Sequence, residues 1–184
     1  MLKKYLITSR EFYTDTPAVF RKILHEQLVK HLPDYVLYRD KANPNYAIQA
    51  EHFIEVCAHF SDVKAIIHSD VALAKKYGAY GVHLTSQEFH KVKEAKELGL
   101  QVIVSTHSKE EVVQAEALGA DYVTYSPIFA SPNKGEPKGI EDLKELLSTT
   151  KIKVFALGGI VDAKEIAMIE ETKAYGFASI RYFY

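Results

Sequence analysis

"KKYGAYGVHL" (75–84), "KELGLQVIVS" (96–105) and "EALGADYVTY" (116–125) follow one pattern. Each is the polar end of a helix-period segment, then Gly78, Gly99 or Gly119, then a short apolar run. Glycine suits the left-handed cap that ends a helix, and the β-branched or aromatic run after it suits a strand. A strand that returns once per helix implies parallel pairing, because parallel neighbours need a crossover. Working outward from these three, the same alternation gives eight candidate strands: "YLIT" from Tyr5, "YVLY" from Tyr35, "AIIH" from Ala65, "GVHL" from Gly81, "VIVS" from Val102, "YVTY" from Tyr122, "KVFALGG" from Lys153 and "FASIRYF" from Phe177. Eight strands with helices between them predict a single α/β domain over 1–184, a (β/α)8 TIM barrel rather than an open doubly wound sheet. It is a small one, below the usual ~250 residues.

The helical segments carry start signals. The first opens at Asp15 or Thr16 with Pro17 at its first position, and Phe20, Ile23, Leu24 and Leu28 share one face. Asp70 precedes "VALAKKYG" as an N-cap. Ser108 and Glu111 in "SKEE" have capping-box spacing. After the eighth strand comes only "RYFY", so the last outer helix is expected to be lacking. The first helix, a partner subunit or nothing then covers that strand, and apolar residues left bare there would favour a homodimer.

Composition narrows the function. Of 184 residues, 47% are hydrophobic and the formal net charge is −1, which suits a globular protein and gives no general attraction to nucleic acid. "MLKKYLITSREF" lacks the apolar core of a signal peptide, and no apolar run reaches the ~18 residues of a membrane span. A cytoplasmic location is the expectation. The lone cysteine, Cys57 in "FIEVCAHF", excludes an intramolecular disulfide and reads as core.

Barrel sites lie at the C-terminal ends of the strands. Alternation on "GVHLTS" sends Val82 and Leu84 outward and His83 and Thr85 inward. Arg39 and Lys41 share a side at the end of the second strand, His68 ends the third, and Ser105 shares a side with His107 on the fifth. The sixth strand leads into "SPIFASPNKGEPKG", with Ser131 and Lys134; the seventh ends at Gly158 and Gly159; the eighth carries Arg181. Four cations and a glycine pair at one mouth point to a small phosphorylated ligand. Three histidines on neighbouring strands (His68, His83, His107) raise a metal site, but no chelating spacing supports it, and His83 reads as a hydrogen-bonded interior residue.

These residues resemble a known family, the thiamine phosphate synthases and their relatives the TenI-like thiazole tautomerases. The likeness runs through five elements in order: "LYRDK" (37–41), "GVHLTSQE" (81–88), "VSTHSKEEVVQAEALGADYV" (104–123), "SPIFASPNK" (126–134) and "VFALGGI" (154–160). It implies a (β/α)8 barrel acting on a thiazole phosphate. The synthases join a pyrimidine diphosphate to a thiazole phosphate with Mg²⁺ on two aspartates. Here the first aspartate's Asn-Asp pair is matched by His68-Ser69 and the second by Glu88, so a synthase would leave Asp70 and Glu88 to hold the ion. The tautomerases need no metal, and "STHSKEEVVQAE" matches their segment, whose histidine is a proton shuttle. The resemblance therefore favours a cofactor-free tautomerase (an isomerase) with His107 as acid and base, bound to a phosphorylated heterocycle by Arg39, Lys41, His68, Ser105, Ser131, Lys134, Gly158, Gly159 and Arg181. A synthase, or a non-catalytic regulatory binder, is the alternative.

Overall fold

A computed structural model describes residues 1–184. Its strands are β1 (Lys3–Ile7), β2 (Tyr35–Tyr38), β3 (Lys64–His68), β4 (Gly81–Leu84), β5 (Gln101–Thr106), β6 (Tyr122–Tyr125), β7 (Lys153–Leu157) and β8 (Gly176–Ser179). They pair in parallel and in chain order, and β8 returns to β1 to close the barrel. The helices are α1 (Arg10–Tyr13), α2 (Pro17–His31), α3 (Tyr46–Cys57), α4 (Val71–Lys76), α5 (Val92–Glu97), α6 (Lys109–Ala117), α7 (Gly139–Thr149) and α8 (Ala163–Glu170). Gly78, Gly99 and Gly119 all take positive φ (67°, 79° and 89°), the left-handed stop that the repeated pattern requires.

Alternation along the strands sorts the apolar residues into two cores. Tyr5, Ile7, Tyr35, Leu37, Ile66, Ile103, Tyr122, Phe155 and Ala178 fill the barrel interior. Leu6, Val36, Ile67, Val82, Val102, Val123, Val154 and Phe177 face the helices in the larger cluster. Cys57 is buried there, and burial pushes its thiol up. The inward parity carries Leu37 on to Arg39 and Ile103 on to Ser105, so β2 and β5 each deliver a polar side chain to the C-terminal mouth.

Caps fix the helices near that mouth. Asp70 Oδ accepts from the Leu73 N–H at 2.8 Å, and Ser108 Oγ accepts from the Glu111 N–H at 3.1 Å. The expected capping box on α6 is shifted by one residue, because Glu111 accepts from the His107 N–H (2.6 Å) instead of from that of Ser108. A complete box caps α8, between Asp162 and Glu165.

Two expectations change at the ends of the barrel. The short α1, between β1 and α2, had no strong periodic signal. The eighth strand is also shorter than "FASIRYF": it stops at Ser179, and Arg181–Phe183 form a 3-10 turn. That turn covers the strand it follows. Phe183 stacks on Phe177 with ring centroids 5.8 Å apart, Tyr182 meets Phe177 edge-on at 5.3 Å, and α2 contributes His31 against Phe183 at 5.3 Å. Phe177 and Phe183 are buried, so this chain's own turn covers the apolar outer face of β8.

Candidate functional site

All ten residues assigned to the mouth line one cavity of about 710 Å³: Arg39, Lys41, His68, Ser105, His107, Ser131, Lys134, Gly158, Gly159 and Arg181. Strand ends supply the first of these. The Arg39 N–H is held by Thr8 Oγ1 (3.0 Å), which ties the end of β2 to that of β1. The adjacent Asp40 points away and pairs with Arg10 at 3.1 Å. Arg39, Lys41, Lys134 and Arg181 have no carboxylate within ion-pair distance, although ten ion pairs form elsewhere. Burial holds the Arg39 guanidinium below its ordinary value; burial, then Arg39, does the same to Lys41. Four cations that form no ion pair, in a cavity whose one lining carboxylate is Glu11, make a receptor for an anion.

The histidines divide by depth. His83 is buried, with Nδ1 2.8 Å from the Tyr5 hydroxyl and Nε2 2.9 Å from Ser105 Oγ. Burial, reinforced by His68 and Arg39, lowers it to about 3, so it is neutral near pH 7 and positions Ser105. His68 shares its register level on β3, and the two ring centroids are 6.3 Å apart. Burial with the nearby charges of Arg39 and Lys41 brings His68 to about 4. Tyr46 of α3 clamps the end of that strand, its hydroxyl accepting from the His68 N–H at 3.1 Å. His107 differs from both. It stands at the rim with 49% of its side chain exposed and Nδ1 3.5 Å from Glu111. No group of three or more His, Cys, Asp or Glu lies close enough to hold a metal ion.

Gly158 and Gly159, just after β7, line the first cavity. Their φ angles are 103° and 70°, and a Cβ on Gly159 would stand 2.5 Å from the Ala130 carbonyl oxygen. Only glycine lets this loop press against the segment after β6. Neither amide donates to another protein group, so both remain available as a nest for an anion. Lys138 belongs elsewhere: its ammonium lies over the Tyr125 ring at 5.0 Å.

A second cavity, of about 750 Å³, adjoins the first over the loops after β2, β3 and β4. Lys41, His68 and Thr85 line both and form the shared wall. Asp70 and Glu88 lie in the second cavity. Glu88 has both oxygens engaged: Oε2 accepts from Ser69 Oγ (2.8 Å) and the Thr85 N–H (2.9 Å), and Oε1 from Lys91 Nζ (2.6 Å). Burial alone would raise its carboxyl, but Lys91, the Thr85 amide and Ser69 hold it at about 2. Sequence reading missed Lys91, whose only signal was its i,i+3 spacing from Glu88. It also missed Ser9, Glu11 and Phe12, which α1 brings to the edge of the first cavity.

Fold and site together define a parallel β/α barrel whose mouth gathers unpaired cations around two joined cavities. A family model described as thiamine monophosphate synthase matches residues 4–183, and the chain belongs to that family. It is 37% identical over 123 residues to a putative thiamine-phosphate synthase of Geobacter sulfurreducens, covering 64% of this chain and 55% of that protein. It is 42% identical over 118 residues to a putative thiamine-phosphate synthase 2 of Aquifex aeolicus, covering 62% of this chain and 61% of that one. The matched region thus spans less than two thirds of either relative's own length. Among solved structures, a thiamine phosphate pyrophosphorylase from Pyrococcus furiosus superposes with TM-score 0.82 at 26% identity, covering 97% of this chain and 85% of that one. These names overturn the preference for a tautomerase. The relatives and the solved structure are named as synthases or a pyrophosphorylase, transferases rather than isomerases.

Proposed function

We propose that this chain is a thiamine-phosphate synthase, joining a pyrimidine carried as its diphosphate to a thiazole carried as its phosphate. The observation that supports it most is the pair of cavities meeting at Lys41, His68 and Thr85, which suits two substrates that must touch. In the reaction the thiazole nitrogen lone pair forms a C–N bond to the pyrimidine's exocyclic methylene carbon. The C–O bond to the diphosphate breaks and its electron pair leaves with pyrophosphate. No proton has to move, so a proton shuttle is not required.

The residues take roles accordingly. Gly158, Gly159, Ser131 and Arg181 receive the thiazole phosphate. Lys41, on the shared wall, faces the diphosphate, and Arg39 and Lys134 stand in the first cavity where the two substrates meet, so that preorganised positive charge stabilises the leaving group as its charge develops. Neutral His83 holds Ser105 in the mouth. His68, neutral near pH 7, stands in the wall between the two substrates without adding charge.

Family resemblance implies Mg²⁺ for this reaction, and the donors here do not suit it. The ion would need carboxylates with free lone pairs. Glu88 has both oxygens engaged, one by an ammonium; Ser69 stands where the resemblance places an aspartate; and one oxygen of Asp70 caps α4. No step is assigned to the ion.

Incubating the protein with the pyrimidine diphosphate and the thiazole phosphate tests this reading. Thiamine phosphate and pyrophosphate should appear in equal amounts. Binding of both compounds with no product would reject it.

A further inference from the structure

Lys91 occupies an unusual position in the second cavity. It ends the 3-10 turn Phe89–Lys91 that follows β4, and its ammonium reaches back into the cleft between two loops. There it donates to Glu88 Oε1 at 2.6 Å and to the Ser69 carbonyl oxygen at 3.1 Å. An acidic side chain and a main-chain carbonyl from neighbouring loops are the kind of oxygen pair that holds a cation, and here the cation belongs to the chain. The neighbouring Ser69 reinforces the arrangement, since its hydroxyl donates to Glu88 and so consumes a lone pair. An ammonium carries three N–H donors. Two are committed, and the third remains for a ligand in the cavity that Lys91 lines.

Charge at this corner decides what that ligand is. Lys91 neutralises Glu88, while Lys41, without a carboxylate partner, stands on the shared wall. Four carboxylates line this cavity, and a divalent cation arriving here meets Glu88 paired with Lys91 and Asp40 paired with Arg10, while Asp70 caps α4 and Glu94 stands on α5. An anion meets the remaining N–H of an ammonium fixed by its pair with Glu88, and the unpaired charge of Lys41 beside it, with neutral His68 between the two cavities. We propose that Lys91 takes the place of a divalent cation, its ammonium binding the diphosphate directly and making anion capture in the second cavity independent of metal. Glu88 and the Ser69 carbonyl are positioning groups, holding the ammonium at one point as a metal's own ligands would. The inference rests on the coupling reaction proposed above only for the identity of the diphosphate.

Calorimetric titration with inorganic pyrophosphate in excess EDTA tests it. The wild-type protein should bind, and Lys91→Met should weaken binding about tenfold or more, the loss expected for a charge-assisted hydrogen bond. Lys91→Arg should recover part of the affinity, and matching thermal melts would show that the Met variant is folded. Pyrophosphate that binds only when Mg²⁺ is added, or equally well to Lys91→Met, would overturn the proposal. The coupling assay in EDTA separates this inference from the reading beneath it. Product that forms only with Mg²⁺ overturns the role of Lys91 and leaves the synthase reading standing. Lysine-dependent pyrophosphate binding with no product under either condition removes the synthase reading and leaves the role of Lys91.

Discussion

His107 was the residue the sequence singled out for proton chemistry, and the structure gives it a different character from its neighbours. Half-exposed at the rim, it has its main chain pinned by Glu111, whose carboxylate also lies 3.5 Å from its Nδ1. A coupling that moves no proton gives it nothing to transfer. His107→Gln should therefore leave turnover within a few-fold of wild type, whereas a true acid–base role costs roughly 10²-fold or more. Steady-state rates of the two proteins settle the point, and a hundredfold loss would return His107 to the chemistry. At this scale the sequence was informative about position and weaker on role. Parity brought Arg39, Lys41 and Ser105 to one cavity, because inward and outward residues must alternate, and the glycine pair reached it as the loop after β7. Nothing in the spacing of "STHSKEE" separates a shuttle from a rim residue. Lys91 escaped notice because its meaning lies in a contact with Ser69, on a different loop.

Among the elements, the β7–α8 connection does the most specific work. Both of its glycines adopt backbone angles that other residues rarely take, and a Cβ on either would collide with the segment after β6. Gly159→Ala should lower stability by roughly 1–3 kcal/mol from strained φ and the clash with Ala130, and should weaken thiazole phosphate binding as the loop lifts. Denaturant melts and phosphate titration check the two effects, and an unchanged protein would mean that the loop is not the anion floor. Strands and crossover helices were legible because each carries its own period and its own glycine stop. Two elements were not. The four-residue α1 is too short to show a helical period, and the turn at Arg181–Phe183 reads as a continued strand because Tyr and Phe also favour strands. Its aromatic packing on Phe177 is tertiary, and it answers what covers β8.

For the whole molecule, the buried histidines tie stability to pH. His68 at about 4 and His83 at about 3 both lie below the ordinary value of 6.5, so the unfolded chain takes up protons that the folded one refuses. Stability from these groups is therefore complete above about pH 6.5 and falls by roughly 1 kcal/mol per pH unit for each as the pH drops toward their folded values. Glu88 adds its own loss only below 4.5, down to about 2. Urea unfolding at about pH 7 and about pH 5.5 should show the lower stability at the acid value, and His83→Gln should flatten the slope. An unchanged free energy between the two would contradict the neutral buried pair. Two joined cavities sharing one wall are likewise a property of the whole barrel, and the proposed function depends on their filling together. Calorimetric titration of thiazole phosphate into protein already saturated with pyrophosphate tests this most directly: one equivalent should bind with pyrophosphate still in place, and displacement of pyrophosphate by thiazole phosphate would contradict the two-substrate site.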